Sequence, residues 1–148
     1  MTEILGIYAF LLEKLGTAPI NAIVGERVFV DVAPPIDDAT GVAPVYPMIV
    51  FGVRTTRDQT IVDGESAYLT AVIDVKIITD NSLASIADLD SLVFAALHRS
   101  GGAVIENIDI MGCHREGAIL TQRTDGDKNY RYSIQTYKVR AARQSNPL

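Results

Sequence analysis

The chain has 148 residues, 48% hydrophobic and 21% charged, a balance that excludes intrinsic disorder and fits one domain burying about 68–70% of its unfolded surface. Eighteen acidic against 13 basic side chains give a formal net charge of -5, which argues against a protein held to nucleic acid mainly through phosphate contacts. A single cysteine, Cys113, excludes an internal disulfide and makes a reducing cytoplasm a suitable compartment.

Thr2 is placed to cap a first helix in which Leu5, Tyr8, Leu12 and Leu15 recur at helical spacing, widened by Ile4, Ile7 and Leu11 and ended by Gly16. The apolar run Ile4 to Leu12 is too short for a membrane span and lacks the basic flank of a signal peptide, so a soluble protein with no membrane partner is expected. A short turn from Pro19 to Val24 leads through Gly25 to a strand predicted at Val28–Val32. Residues 33–47 carry four prolines and the adjacent Asp37 and Asp38, with no periodicity, and read as a long surface loop. Ordering of that segment only on assembly is expected, because it offers little apolar surface to hold itself down.

Met48–Val53 reads as a strand buried on both faces, and Leu69, Ala71, Ile73, Val75 and Ile77 alternate along its partner. The polar link Arg54 to Glu65, with Asp63-Gly64, makes this pair a hairpin with an extended tip. Asn81 or Ser82 should cap a helix whose apolar face is Leu83, Ile86, Leu89, Val93, Ala96 and Leu97, with Asp88, Asp90 and Ser91 opposite. His98 and Arg99 close it, where positive charge meets the negative helix end, and Gly101-Gly102 stop it. A second hairpin pairs Val104–Cys113 with Tyr130–Ala141 through a turn near Gln122–Asn129.

The order α-β-β-β-α-β-β predicts an α+β fold: an antiparallel sheet of about four or five strands built from two hairpins, with two helices packed on one side. One domain is expected over 1–142, with 143–148 a flexible tail. Charge is segregated along it: residues 1–114 hold 15 acidic and 6 basic groups (-9), residues 115–148 hold 3 and 7 (+4). Opposite ends of two copies could therefore attract each other.

Chemistry is sparse. Cys113 and His114 are neighbours, but adjacent strand residues point to opposite faces and cannot share a proton. Two histidines and one cysteine give no metal-ligand spacing, and neither Asp37-Asp38 nor Asp125-x-Asp127 forms a calcium ladder. Gly101-Gly102 follows a helix and precedes a strand, the reverse of a phosphate-binding turn. No catalytic residue, cofactor or metal site is assigned, and no enzyme is expected. A small ligand-binding or enzymatic α+β domain is the competing class.

The ordered set Val24-Gly25-Glu26-Arg27-Val28-Phe29, Ala33-Pro34-Pro35, Tyr46-Pro47-Met48-Ile49-Val50-Phe51, Asp74-Val75-Lys76-Ile77, Leu89–Leu97 and Tyr130-Arg131-Tyr132-Ser133 to Tyr137 resembles the phage tail terminator or tail completion family. The resemblance spans roughly 4–141, and the chain departs from shorter members in its Asp37–Val45 and Arg54–Glu65 segments. It implies a structural virion protein, commonly a hexameric ring, that ends the tail tube and joins the head. The implied partners are further copies of the chain, the major tail tube protein and a head-completion or connector protein. DNA would pass through without being specifically bound. The location implied is the head-proximal tail end, after assembly in the host cytoplasm; another neck or connector component of the same particle is the alternative. Independently, polarity marks the long loop, the hairpin tips and the basic last strand as contact candidates: Asp37, Asp38, Arg54, Arg57, Asp58, Asp63, Glu65, Arg123, Asp125, Asp127, Lys128, Arg131, Lys138 and Arg140.

Overall fold

The computed structural model describes residues 2–31, 46–60, 66–80, 83–125 and 128–143. Three helices, α1 (Glu3–Leu15), α2 (Ala18–Val24) and α3 (Leu83–Leu97), accompany six strands: β1 (Val28–Val30), β2 (Met48–Thr60), β3 (Ser66–Thr79), β4 (Ala103–Ile105), β5 (Ile108–Asp125) and β6 (Lys128–Arg143). They form one sheet in the order β1-β2-β3-β6-β5-β4.

This overturns the expected fold, a four- or five-stranded antiparallel sheet with two helices, in three ways. β1 pairs parallel with β2, with Val28 opposite Ile49, so the sheet is mixed. An antiparallel neighbour needs only a tight turn, whereas the 17 residues between Val30 and Met48 give the chain room to return and run in the same direction. Second, the predicted strand Val104–Cys113 is two strands, because Glu106 and Asn107 both take positive φ (45° and 71°) and close a two-residue hairpin between β4 and β5. Third, Pro19 to Val24 is a helix in its own right, with proline in its first turn where a missing N–H costs nothing. The two expected hairpins, β2 with β3 and β5 with β6, are present but longer than predicted, since strand pairing runs into the links read as loops. The predicted caps at Asn81 or Ser82, the 33–45 part of the long loop and the 144–148 tail lie outside the described residues.

The core lies between one sheet face and the helices. Ile49, Phe51, Ile73, Ile77, Val139 and Tyr137 are buried from the sheet side, and Phe10, Leu15, Ile20, Leu89 and Val93 from the helix side. α1 is capped as expected, with the Thr2 hydroxyl accepting from the Leu5 N–H at 3.4 Å and the Gly16 N–H donating to the Leu12 carbonyl at 3.0 Å. Its buried stripe differs from the predicted one: Gly6, Ile7, Phe10, Leu11 and Leu15 face inward, while Leu5 and Leu12 are 53% and 44% exposed. Nine consecutive apolar or glycine residues leave the phase of a helix open to more than one stripe. No described helix is by itself long and apolar enough to cross a membrane.

Candidate assembly surfaces

Strand alternation divides the charged side chains between two faces. On the sheet face away from the helices, Arg54 makes a two-pronged contact with Asp74 (2.9 and 2.8 Å), and the Thr136 hydroxyl donates to the same carboxylate at 3.0 Å. Lys138 stands 3.6 Å from Glu116. Lys76 lies over the Tyr132 ring and Arg140 over the Tyr68 ring, each 5.4 Å from the ring centre. Arg57 is exposed and has no ion-pair partner among the described residues. Among described side chains, this face carries five basic groups (Arg54, Arg57, Lys76, Lys138, Arg140) and four acidic (Asp31, Asp74, Asp109, Glu116), a small local excess in a chain of net charge -5.

Register also shows where the predicted contact residues fall. Leu69 pairs with Ala141 and Thr79 with Arg131, so the β2–β3 and β5–β6 tips point to opposite ends of the sheet. Arg54, Arg57, Lys138 and Arg140 share one half, and Asp58 continues β2 there. Arg123, Asp125 and Lys128 belong to the other tip, where Asp125 is opposite Lys128, and Arg131 is half-buried near that end. Asp37, Asp38, Asp63, Glu65 and Asp127 lie outside the described residues. The predicted set is therefore two separate surfaces. Arg143, counted with the basic end, is already tied to Glu3 of α1 at 3.3 Å.

On the helix side, a polar cluster was not predicted. Asp90 of α3 accepts from the Ser133 hydroxyl and, at 2.8 Å, from the Gln135 amide, which also donates to the Asp90 carbonyl at 3.0 Å. Gln135 in turn accepts from the Tyr137 hydroxyl. Arg115 stacks over Phe94 at 4.5 Å and lies 3.9 Å from Asp90. No buried side-chain polar atom among the described residues lacks a partner, so the cluster is a closed latch between α3 and β6. Burial pushes the Tyr137 hydroxyl pKa upward. The His98 ring accepts the Arg115 N–H at 3.1 Å and is stacked on Phe94. Desolvation, then the neighbouring Arg99, His114 and Arg115, lowers its pKa.

Cys113 is fully buried and His114 exposed, on opposite faces of β5. Burial pushes the thiol pKa up to about 12, opposed in part by a hydrogen bond with Ser100. Thiolate is the reactive form. Treatment with an aromatic disulfide reagent at pH 8 is therefore expected to modify well under ~5% of Cys113 in the folded chain and all of it in denaturant; rapid labelling of the folded chain would show that β5 opens.

A groove of about 580 Å³ on the helix-free face runs along Gly52, Arg54, Asp74 and Lys76, but its arginine and aspartate already satisfy each other. Among the described residues, no three His, Cys, Asp or Glu side chains gather as metal ligands.

No family profile matches this chain, and no curated protein matches it. Among solved structures, it is similar to a chain from the virion of a native gene transfer agent particle, with a TM-score of 0.70 and 18% identity, covering 93% of this chain and 96% of that one. The chain thus shares the fold of a virion component over nearly its whole length.

Proposed function

We propose that this chain is a structural virion protein that forms a hexameric ring ending a phage tail tube and providing the head–tail joining surface. The observation that carries the reading is the full-length fold likeness to a chain of a gene transfer agent virion. The ordered sequence resemblance to tail terminators is what narrows the reading from a virion component to the end of the tail. In this reading, one side of the ring meets the major tail tube protein and the other a head-completion or connector protein. DNA passes through without being specifically bound, in keeping with a net charge of -5 per chain, which disfavours strong phosphate contacts.

Light scattering on the purified chain, alone and with tube protein, is the direct test. A mass near six chains is expected, weakening between low salt and about 0.5 M salt because charged surfaces are screened over about 8 Å at physiological ionic strength. Tubes assembled without the chain should grow past their normal length in electron micrographs, and adding it should restore that length. A chain that binds connector protein but leaves tube length unchanged would instead be another neck component. A chain that stays monomeric with both partners would refute the ring.

A further inference from the structure

Among the described residues, no strand covers either edge of the sheet over half its length. On one side, β1 covers β2 only at Ile49–Phe51, and from Val53 onward no described strand lies beyond it. On the other, β4 covers β5 only at Ile108–Ile110, with one further bridge from Ser100 to Cys113. Every described residue of Arg54–Arg57 and of Glu116–Gln122 is exposed. Free backbone donors and acceptors along an edge are a template for another strand, and proteins normally blunt them with charge, proline or a covering element. Gly117–Gln122 reads GAILTQ, with no charged residue and no proline, and no described strand lies beyond it. Ile119 and Leu120 are 65% and 58% exposed on opposite faces, and Leu120 borders a groove of about 220 Å³ against Ile86 and Ala87 of α3.

We propose that this open edge of β5 pairs, antiparallel, with the open half of β2 in a second copy of the chain, so that the sheet continues from subunit to subunit. The inference deepens the ring reading above and rests on it. Three points choose a second copy as the occupant. First, the same chain carries both uncovered edges, as a head-to-tail contact requires. Second, β2 and β5 run in opposite directions, being linked by three antiparallel pairings; rotation about a ring axis preserves strand sense, so the contact is antiparallel. Third, setting Thr55 opposite Ile119 keeps outward residues with outward residues and brings Arg57, which lacks an ion-pair partner among the described residues, beside Glu116.

That register also has the geometry of a closed ring. Within one chain, Ile119 is level with Val50 through Ile134 and Lys76. Moving from Val50 to Thr55 past the irregularity at Arg54 is about four strand steps, roughly 13 Å. The subunit's four long strands span about 19 Å at 4.8 Å each. A slip of that size over that width tilts the strands about 35° from the ring axis, the tilt range of closed barrels.

The test is a Thr55→Cys, Ile119→Cys double variant, oxidised and run on a non-reducing gel; both sites are exposed, so folding should persist, and Cys113 stays buried. A ladder of linked chains is expected for the double variant, with a single linked pair when the two single variants are mixed, and no linkage for either alone. Leu120→Lys should weaken self-association at least about tenfold in the same light-scattering measurement, because it sets a charge in the strand contact. If the double variant forms rings by mass but does not link, the edge contact is wrong and the ring stands. Linkage of Ile119→Cys with itself would mean a two-fold contact and overturn the proposal. Linkage to tube protein instead of to a second copy would also overturn it. A wild-type chain that is monomeric under every condition would remove the ring reading and the edge contact together.

Discussion

Replacing Asp90 with alanine is expected to lower stability by about 2–4 kcal/mol, because one carboxylate satisfies several buried partners at once. Ser133 is 3% exposed and Gln135 0%, so after the change a hydroxyl is left without its acceptor and an amide loses its charged one. Charge-assisted hydrogen bonds contribute roughly 1.5–3 kcal/mol each, and an orphaned buried donor costs about 1–3 kcal/mol. The Arg115 contact at 3.9 Å, with both side chains 29% exposed, adds little. At roughly 2–4 °C per kcal/mol for a domain of this size, the melting temperature should fall by about 5–15 °C. Asp90→Asn keeps an acceptor oxygen for Ser133 and should cost less than half as much. Equal losses for the two variants would mean that charge, not hydrogen bonding, carries the latch, and a loss below ~0.5 kcal/mol for the alanine would mean that α3 is held by apolar packing alone.

Asp90 also shows why part of the molecule was illegible in the sequence. With Asp88 and Ser91 it reads as the solvent side of α3, and nothing in the sequence marks Ser133 and Gln135 of β6 as its partners. In the fold these polar positions face one another across the helix–sheet boundary and bury each other. Pattern reading assigns polar residues to water unless a partner is in view, and here the partners are more than forty residues apart. The alternation of Leu69 to Ile77 was legible because a half-buried strand has one period and one phase. The parallel β1 was not, since its direction depends on a 17-residue link without periodicity. The Glu106-Asn107 turn was missed because the usual glycine of such turns is absent. Of the candidate surfaces, the exposure of Arg54 and Arg57 could be read from polarity. The opposite directions of their tips could not, because they follow from how β3 and β6 pair. The Ile119-Leu120 edge carried no polar signal at all, and only the register shows that no described strand covers it.

Gly6 decides a question that composition leaves open, and its replacement by valine is expected to lower stability as well. α1 is apolar on nearly every side, so hydrophobic spacing alone permits a stripe through Leu5 and Leu12 as readily as the observed one through Ile7, Phe10 and Leu15. At Gly6 the helix comes so close to β5 that an added Cβ would sit 2.7 Å from Ile108 Cγ2 and 2.8 Å from Ile108 Cβ. The second atom is the root of a branched side chain on a strand, not a flexible tip, so relief requires moving α1 away from the sheet. That movement loosens Phe10 and Leu11, both fully buried. Overpacking of this kind costs about 1–3 kcal/mol, and valine recovers only part of the roughly 1 kcal/mol that glycine costs a helix. Gly6→Val should therefore lower stability by about 1–2.5 kcal/mol. Ile108→Ala, at a fully buried site, costs about 2–5 kcal/mol by itself, but the double variant should lose clearly less than the sum because the truncation makes room for the new side chain. Chemical denaturation of the two single variants and the double variant measures this directly. If the losses simply add, the close approach of α1 to β5 does not set the phase of the helix, and the observed stripe must owe its position to α3 instead.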